Sequence, residues 1–168
     1  MKPVRSAPMR LVSPILLGAL ALAACGKAPN PASAPASAPP AAAVPTSVEV
    51  KAALATLPTA YQGADLENGE AKFALCRACH TVIQGGENMT GPNLWGVFGR
   101  KAGSVAGYNY SDGVKALPFA WDAERINQWI ANPRAMVPTT KMTYLGMEDP
   151  KDRIDVVAYL KVASSRPN

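Results

Sequence analysis

The run Cys76-Arg77-Ala78-Cys79-His80 limits the chemistry of this chain more than any other feature. On a helix, the two thiols and the imidazole lie at positions i, i+3 and i+4 and project from one side. Covalent attachment of haem c requires this spacing, with the thiols bonded to the vinyl groups and the imidazole bound to the iron. The sequence therefore predicts a haem c attached through Cys76 and Cys79 and ligated by His80.

Three other kinds of site use some of the same residues. A structural zinc site needs four nitrogen or sulfur ligands, but the sequence has a single His and only one further Cys, Cys25. A dithiol redox pair usually follows a strand of a βαβ unit, and no strand pattern precedes Cys76. A structural disulfide would leave the adjacent histidine unexplained. Haem attachment accounts for all three side chains.

Residues 1–24 have the pattern of a secretory signal peptide, with basic residues before an apolar run that is too short to span a membrane as a helix. The run ends in Leu22-Ala23-Ala24-Cys25, which resembles the bacterial lipobox, where the signal is cut before a cysteine that becomes lipidated. An unpaired thiol would otherwise be a liability in an oxidising compartment. We expect lipid attachment at Cys25. The alternative is an ordinary signal peptide with its cleavage site in residues 21–24.

Lipidation would hold the protein on the periplasmic side of a bacterial membrane. A diacylglyceryl group and an N-acyl chain exceed the two hydrophobic signals that stable anchoring needs. Gly26 stands where the lipoprotein rule places Asp for retention in the inner membrane. The resemblance therefore favours the outer membrane.

Residues 26–48 are almost entirely Ala, Pro and Ser, a composition that buries no core. At about 3.1 Å per residue in a polyproline conformation, such a segment reaches on the order of 60 Å. Residues 49–57 could form a short helix, which Pro58 would end. We assign residues 25–60 to the lipidated cysteine and a flexible tether, and residues 61–168 to the folded domain.

Net charge gives no indication of nucleic-acid binding. The whole chain carries +5, but five basic residues precede the domain. From Ala64 onward, twelve Lys and Arg stand against eleven Asp and Glu, a balance of +1 with no basic stripe. We therefore expect no nucleic-acid partner.

The domain shows three helical patterns and no strand alternation, which predicts an all-α fold. The first helix covers residues 66–79, Asp122 caps the second, and Asp149 and Pro150 occupy the cap and the first helical position of the third. The segments between them, residues 81–120 and 132–148, are longer than loops in a compact domain normally are. A large apolar prosthetic group would explain such loops, because they can wrap around it.

The second axial ligand of the iron needs another residue type, because the single histidine is already used. A methionine sulfur is the usual partner in an electron carrier. Met89 follows the attachment site too closely to reach the opposite face of the haem easily. Met136, Met142 and Met147 all lie in the last loop, and spacing alone does not choose among them.

Motifs along about the last hundred residues resemble the mitochondrial-like class I cytochromes c. The segment Pro138-Thr139-Thr140-Lys141-Met142 is similar to the methionine loop of that family, and residues 91–101 are similar to its Gly-Pro-Asn-Leu segment. Residues 108–112 with Trp121 match its propionate-side loop, and residues 153–161 its C-terminal helix. The resemblance implies a small monohaem fold with three main helices and long loops.

The family resemblance also implies roles for the matching residues. Met142 would be the distal ligand, and the second ring nitrogen of His80 would donate to the Pro92 carbonyl. Leu94 and Ile130 would pack on the haem. The residues expected to hydrogen-bond or neutralise the buried propionates are Arg100, Tyr110, Trp121 and Thr140.

Three positions depart from the family pattern. Thr139 replaces the usual Gly of the methionine loop, so a residue with a side chain must make the tight backbone there. Val114 stands where the mitochondrial proteins commonly have Asn, and Trp129 where they have Tyr. These departures indicate fewer polar groups beside the methionine sulfur and leave both iron ligands in place.

An iron with both axial positions filled by the protein offers no open site to oxygen or peroxide, which disfavours catalysis and favours one-electron transfer. We predict a monomeric, non-enzymatic carrier on a membrane tether, which moves electrons from a quinol-oxidising complex to a terminal oxidase or reductase. Its redox partners would dock transiently.

Two other functions could use the same haem. A haem c electron-transfer subunit of a dehydrogenase or oxidoreductase complex would have a stable partner and a large apolar surface patch. A gas sensor would need a vacant or labile sixth site and would bind carbon monoxide when reduced. A dihaem peroxidase would need a second Cys-x-x-Cys-His run, which the sequence lacks.

Overall fold

The structure is a computed structural model, and it describes residues 45–165. The predicted signal peptide, the lipid attachment at Cys25 and the first part of the predicted tether lie outside the described residues. Within residues 45–165 the only extended pairing is an isolated antiparallel bridge between Lys101 and Ala120. No helix in this part of the chain has the length and apolar character needed to cross a membrane.

The described residues form seven helices: α1 (Ser47–Ala55), α2 (Thr59–Gln62), α3 (Leu66–Arg77), α4 (Asp112–Lys115), α5 (Ala123–Ala131), α6 (Pro133–Met136) and α7 (Pro150–Ala163). The three main helices predicted for the domain are α3, α5 and α7. The predicted caps are present, because the side chains of Asp122 and Asp149 accept hydrogen bonds from backbone N–H groups in the first turns of α5 and α7. Single-turn helices α4 and α6 lie in the segments predicted as loops.

Helices α3 and α7 pack closely at their N-terminal ends. Gly69 makes this contact possible, because a Cβ atom there would lie 2.2 Å from the backbone oxygen of Asp155. The Asp155 carboxylate is buried and accepts hydrogen bonds from the Asp65 N–H at 2.9 Å, from Asn68 Nδ2 at 2.8 Å and from Lys151 Nζ at 2.6 Å. Burial acts to raise the pKa of Asp155, but these hydrogen bonds outweigh it and hold the pKa below its ordinary value.

The C-terminal end of α3 is fixed to α7 by aromatic packing. The rings of Phe73 and Tyr159 lie 5.4 Å apart, and the guanidinium of Arg77 lies within 6 Å of both ring centres. Arg77 also pairs with Glu70 at 2.8 Å. Since Arg77 is part of the Cys76–His80 run, this packing holds the predicted haem attachment segment against α7.

Residues 47–62 pack on the domain instead of forming part of a flexible tether. Helix α1 begins with a capping box, in which Thr46 and Glu49 bond to each other's backbone N–H groups. Leu57 and Tyr61 are buried in the core. The predicted domain boundary at residue 61 therefore falls too late. The helices are short and separated by Pro58, so no long periodic pattern marks them. We call residues 47–62 the N-terminal brace.

Candidate haem site

A cavity of about 290 Å³ lies among α3, α5, α7 and the long loops. It is lined by all of the described residues that the sequence predicted as haem contacts or iron ligands: Cys76, Cys79, His80, Pro92, Leu94, Arg100, Tyr110, Trp121, Ile130, Thr140 and Met142. These residues come from segments far apart in the chain. The fold brings them to one place, although their individual roles toward the haem stay predictions.

The attachment segment leaves α3 in a tight turn. The sequence predicted a helix through Cys79, but α3 ends at Arg77. The N–H groups of Cys79 and His80 both donate to the carbonyl of Cys76 at 3.0 Å. Past the end of α3, the chain therefore continues through one tighter turn in the direction of the helix. Both thiols and the imidazole consequently line the same cavity. Burial, with a contribution from Cys79, raises the pKa of the Cys76 thiol to about 11.

The hydrogen bonding of the His80 imidazole leaves one of its ring nitrogens available to bind a metal. Its Nδ1 lies 2.7 Å from the carbonyl oxygen of Pro92, which is the hydrogen bond that the family resemblance implied. A carbonyl only accepts, so Nδ1 carries the proton and Nε2 keeps its lone pair for the iron. Burial lowers the pKa of His80, and the bond to Pro92 acts in the opposite direction. The net lowering of the pKa favours the neutral form of the ring.

Gly91 lets the backbone lie directly on this imidazole. A Cβ atom at residue 91 would lie 2.3 Å from Cε1 and 2.6 Å from Nδ1 of His80. The Gly91 N–H donates to the carbonyl of Cys79 at 2.8 Å, which fixes the backbone to the attachment segment. The ring is therefore held at its edge by Pro92 and on its face by Gly91. The sequence marked Gly91 only as part of a motif, and this contact became visible in the structure.

Four methionines lie within residues 45–165, and of these Met142 alone lines the cavity. Met89 is 49% exposed, and Met147 is buried in the core. Met136 ends the short helix α6. The structure thus separates Met142 from the alternatives that spacing left open. The hydroxyl of Thr140 accepts a hydrogen bond from the Met142 N–H at 3.1 Å and orients its backbone.

We call residues 132–148 the methionine loop. It is closed at its base, where residues 146–148 return to the end of α5. The N–H of Met147 donates to the carbonyl of Ile130 at 2.8 Å. Gly146 has φ +123°, and a Cβ atom there would lie 2.2 Å from the carbonyl oxygen of Ala131. Arg153 of α7 donates from Nη1 to the carbonyls of Met147 at 2.7 Å and Glu148 at 2.6 Å. The loop that carries Met142 is thereby tied to both α5 and α7.

Thr139, which replaces the family's usual Gly, has room for its side chain because residue 113, which lies beside it, is a glycine. The N–H of Thr140 donates to the carbonyl of Val137 at 3.0 Å and closes the turn. Gly113 of α4 faces this turn, because a Cβ atom at residue 113 would lie 2.4 Å from Thr139 Oγ1. The missing Cβ of residue 113 therefore leaves room for the side chain of Thr139. No pattern in the sequence linked these two positions.

The walls of the cavity combine apolar side chains with one half-buried cation. Val114 and Trp129, two of the three positions that depart from the family pattern, line it, and Trp129 packs edge-on against Trp121 at 5.6 Å. Arg100 donates to the carbonyls of Asn93 and Trp95 at 2.9 and 2.8 Å, and burial lowers its pKa. Among the described residues, no carboxylate forms an ion pair with Arg100.

This set of groups fits haem c. Two thiols are available for covalent attachment, an imidazole nitrogen and a thioether sulfur for the iron, and apolar walls for the porphyrin. The Arg100 cation fits an acidic substituent such as a propionate. When bound, haem c supplies a one-electron redox couple in a water-poor site.

Comparisons with known proteins agree with this site. No protein-family model matches the chain. Cytochrome c of Ginkgo biloba is 41% identical over 103 residues, which cover 61% of this chain and 91% of that protein. Cytochrome c2 of Rhodomicrobium vannielii is 41% identical over 111 residues, covering 66% and 89%. The solved structure of cytochrome cH from Methylobacterium extorquens is 44% identical with a TM-score of 0.54, covering 58% of this chain and 98% of that one.

These similarities confirm the predicted all-α fold and the predicted cofactor. The related proteins are haem c electron carriers and not enzymes, and the chain covers nine tenths or so of their length. The fold, the attachment motif and the relatives together show that this chain belongs to the class I cytochrome c family, binds one haem c through Cys76 and Cys79, and carries electrons.

Proposed function

We propose that this cytochrome is tethered to the periplasmic side of a bacterial membrane and carries single electrons from a quinol-oxidising complex to a terminal oxidase or reductase. His80 and Met142 are the axial ligands of its haem iron. The protein works as a monomer and meets its redox partners in transient complexes.

The position of His80 and Met142 on one cavity carries this proposal. Two protein ligands fill both axial positions and leave none for oxygen or peroxide, so the iron exchanges electrons without binding a substrate. A methionine opposite a histidine also raises the reduction potential relative to two histidines. Such an iron is suited to accepting electrons from a quinol-oxidising complex.

The cavity is partly open to solvent, because four of its lining residues are exposed. The lining residues that are exposed are Leu75, Thr90, Lys141 and Thr143. Leu75 is 63% exposed, and Lys141 is the one charged residue of the four. Electrons would pass where these exposed residues bring the haem near the surface. A brief contact with a partner at this place is sufficient for electron transfer.

The proposal of membrane attachment rests on two segments of the sequence. The lipobox-like run before Cys25 and the Ala/Pro/Ser-rich segment after it have the composition of an anchor and a tether. A flexible tether would keep the carrier at an effective concentration on the order of millimolar near membrane-bound partners. Because Gly26 and not Asp follows the cysteine, the outer membrane is favoured over the inner membrane.

The assignment of Met142 is tested by the weak near-infrared band that a methionine-ligated ferric haem shows. The Met142→Ala variant should lose this band. Met136→Ala, a matched change in the same loop, should retain it. A band that persists in Met142→Ala would contradict the assignment, and carbon monoxide binding by the reduced wild-type protein at neutral pH would contradict the carrier mechanism.

The anchor is tested separately. The wild-type protein should appear in the membrane fraction, globomycin should block its maturation, and mass analysis of the mature N-terminus should show the lipid on Cys25. The Cys25→Ala variant should lose the anchor. An unmodified Cys25 in a soluble wild-type protein would overturn the proposal of a lipid tether and leave the haem assignment intact.

A haem c subunit of a dehydrogenase complex is the competing function. Such a subunit would copurify with a stoichiometric partner after mild solubilisation, whereas a carrier should purify alone. Stable copurification would replace the carrier proposal.

A further inference from the structure

The N-terminal brace is connected to α5 by a buried tyrosine. Tyr61 is 1% exposed, and its hydroxyl oxygen accepts a hydrogen bond from Asn127 Nδ2 at 3.1 Å. The same hydroxyl donates a long hydrogen bond, of 3.5 Å, to the carbonyl oxygen of Ala123. The brace therefore fixes one end of the Asn127 amide.

The other end of this amide reaches α7. Asn127 Oδ1 accepts a hydrogen bond from Arg153 Nε at 2.8 Å. Arg153 in turn donates from Nη1 to the carbonyls of Met147 and Glu148, at the base of the methionine loop. A continuous chain of hydrogen bonds thus runs from Tyr61 through Asn127 and Arg153 to the loop that carries Met142.

We propose that Tyr61 and Asn127 are positioning residues, which act through Arg153 to hold the base of the methionine loop closed and so keep Met142 at the haem. This inference rests on the proposed ligation by Met142. It gives the brace a role in the redox centre, although no residue of the brace lines the cavity within the described part of the chain.

The physical basis is the orientation of two planar groups. The bond to Tyr61 fixes the Asn127 amide with its NH₂ group toward the brace and its oxygen toward Arg153. Without the hydroxyl, the amide loses one of the two bonds that fix its orientation, and its oxygen is held toward Arg153 less firmly. Without the amide oxygen, the guanidinium loses the acceptor that aims it at the loop carbonyls.

The loop base depends on this orientation of Arg153 because, within residues 45–165, few other bonds close it. Besides the two bonds from Arg153, the backbone bond from Met147 to Ile130 and the contact of Gly146 with Ala131 close it. Weakening the bonds from Arg153 should raise the fraction of molecules in which the loop opens and the sulfur leaves the iron. An external ligand can then bind in its place.

Imidazole binding to the full-length ferric holoprotein tests the proposal, because imidazole can bind the iron only after Met142 leaves. We expect Asn127→Ala to bind imidazole about tenfold more tightly than wild type, the equivalent of one charge-assisted hydrogen bond. Tyr61→Phe, which removes only the hydroxyl, should show a smaller increase. Hydrogen exchange of the Met147 N–H should accelerate in the same order.

Asn68→Ala is the matched control. Asn68 also bridges two elements by its amide, from α3 to Asp152 and Asp155 of α7, and has no bond to the methionine loop. It should lower the denaturation temperature without changing imidazole affinity or Met147 exchange. A merely structural role for the brace would give Asn127→Ala and Asn68→Ala the same imidazole affinity at matched stability.

The possible outcomes separate the two proposals. A wild-type protein without the near-infrared methionine band would contradict ligation by Met142, and with it the proposed function. A wild-type protein with the band, together with unchanged imidazole affinity in both Tyr61→Phe and Asn127→Ala, would overturn the positioning role alone. If Asn127→Ala gives no holoprotein, Tyr61→Phe decides the question, because it keeps the ring in the core.

Discussion

The two faces of the haem cavity are built by different means. On one face, His80 directly follows the cysteines and is held by Pro92 and Gly91, residues close to it in the chain. On the other face, Met142 lies in the middle of a loop whose base is closed by contacts with α5 and α7. The His80 face is thus set by local sequence, whereas the Met142 face depends on the whole fold. We therefore expect that a substitution on one face can change the ligand on that face and leave the ligand on the other face in place.

The largest expected effect comes from Gly91→Ala on the His80 face. The added Cβ would lie 2.3 Å from the imidazole, and this ring is fixed in place by its hydrogen bond to the Pro92 carbonyl. We expect a loss of about 3 kcal/mol or more in the free energy of unfolding, with a displaced ring. Guanidinium titration of the holoprotein and the haem absorption spectrum measure both. A variant with wild-type stability and spectrum would show that the backbone here is easily displaced.

Gly146→Ala applies the same change to the Met142 face. The new Cβ would meet the carbonyl of Ala131, and φ +123° is unfavourable for alanine. We expect a loss of about 2 kcal/mol, with the methionine band weakened and the haem still attached and bound to His80. Loss of haem attachment in Gly146→Ala would contradict the independence of the two faces.

Acid should lower the stability of the whole domain instead of acting on one face, because Asp155 joins α3 to α7. Its folded pKa lies below the unfolded value of about 3.9, so the carboxylate contributes stability above that pH, and the contribution is lost as the pH falls through the folded pKa. We expect Asp155→Asn to lose about 1.5 kcal/mol at pH 7.

Denaturant titrations of wild type and Asp155→Asn between pH 7 and strongly acidic pH measure this difference. The wild-type free energy of unfolding should fall more steeply with acid, so the two curves should converge below about pH 4. Parallel curves would mean that another group controls the acid response.

Ser164→Ala should have the smallest effect and leave both faces unchanged. Ser164 is 1% exposed, and its hydroxyl has no hydrogen-bond partner among the described residues. Removing a buried hydroxyl of this kind should raise the free energy of unfolding by about 0.5 kcal/mol, with an unchanged haem spectrum. A loss of stability in thermal or denaturant unfolding would show that the hydroxyl is hydrogen-bonded in solution.

The parts of the fold that the sequence predicted well are those encoded locally. Asp122 and Asp149 cap the helices that their positions indicated, and the Cys76–His80 run lies at the cavity. Caps and attachment motifs depend on residues within one or two helical turns. Their physical basis is therefore visible in a short stretch of sequence.

The parts that sequence reasoning missed depend on contacts between distant residues. Spacing alone left Met136, Met142 and Met147 open, and only the family resemblance pointed to Met142, because the fold decides which side chain lines the cavity. Residues 47–60 were assigned to the tether, because the short helix that residues 49–57 could form ends at Pro58 and shows no sign in the sequence of packing on the domain. The structure of the brace depends on Tyr61 finding a place against α5, and the capping box at Thr46 was the one local signal of it.

The bond between Asp65 and Asp155 joins positions 90 residues apart. A chain that leaves the ribosome or a translocation pore N-terminus first cannot pack α3 on α7 until α7, the last helix, has emerged. Until then the Cys76 thiol is accessible and lacks the burial that later raises its pKa. The order in which the chain is delivered thus leaves an interval for haem attachment before folding closes the cavity.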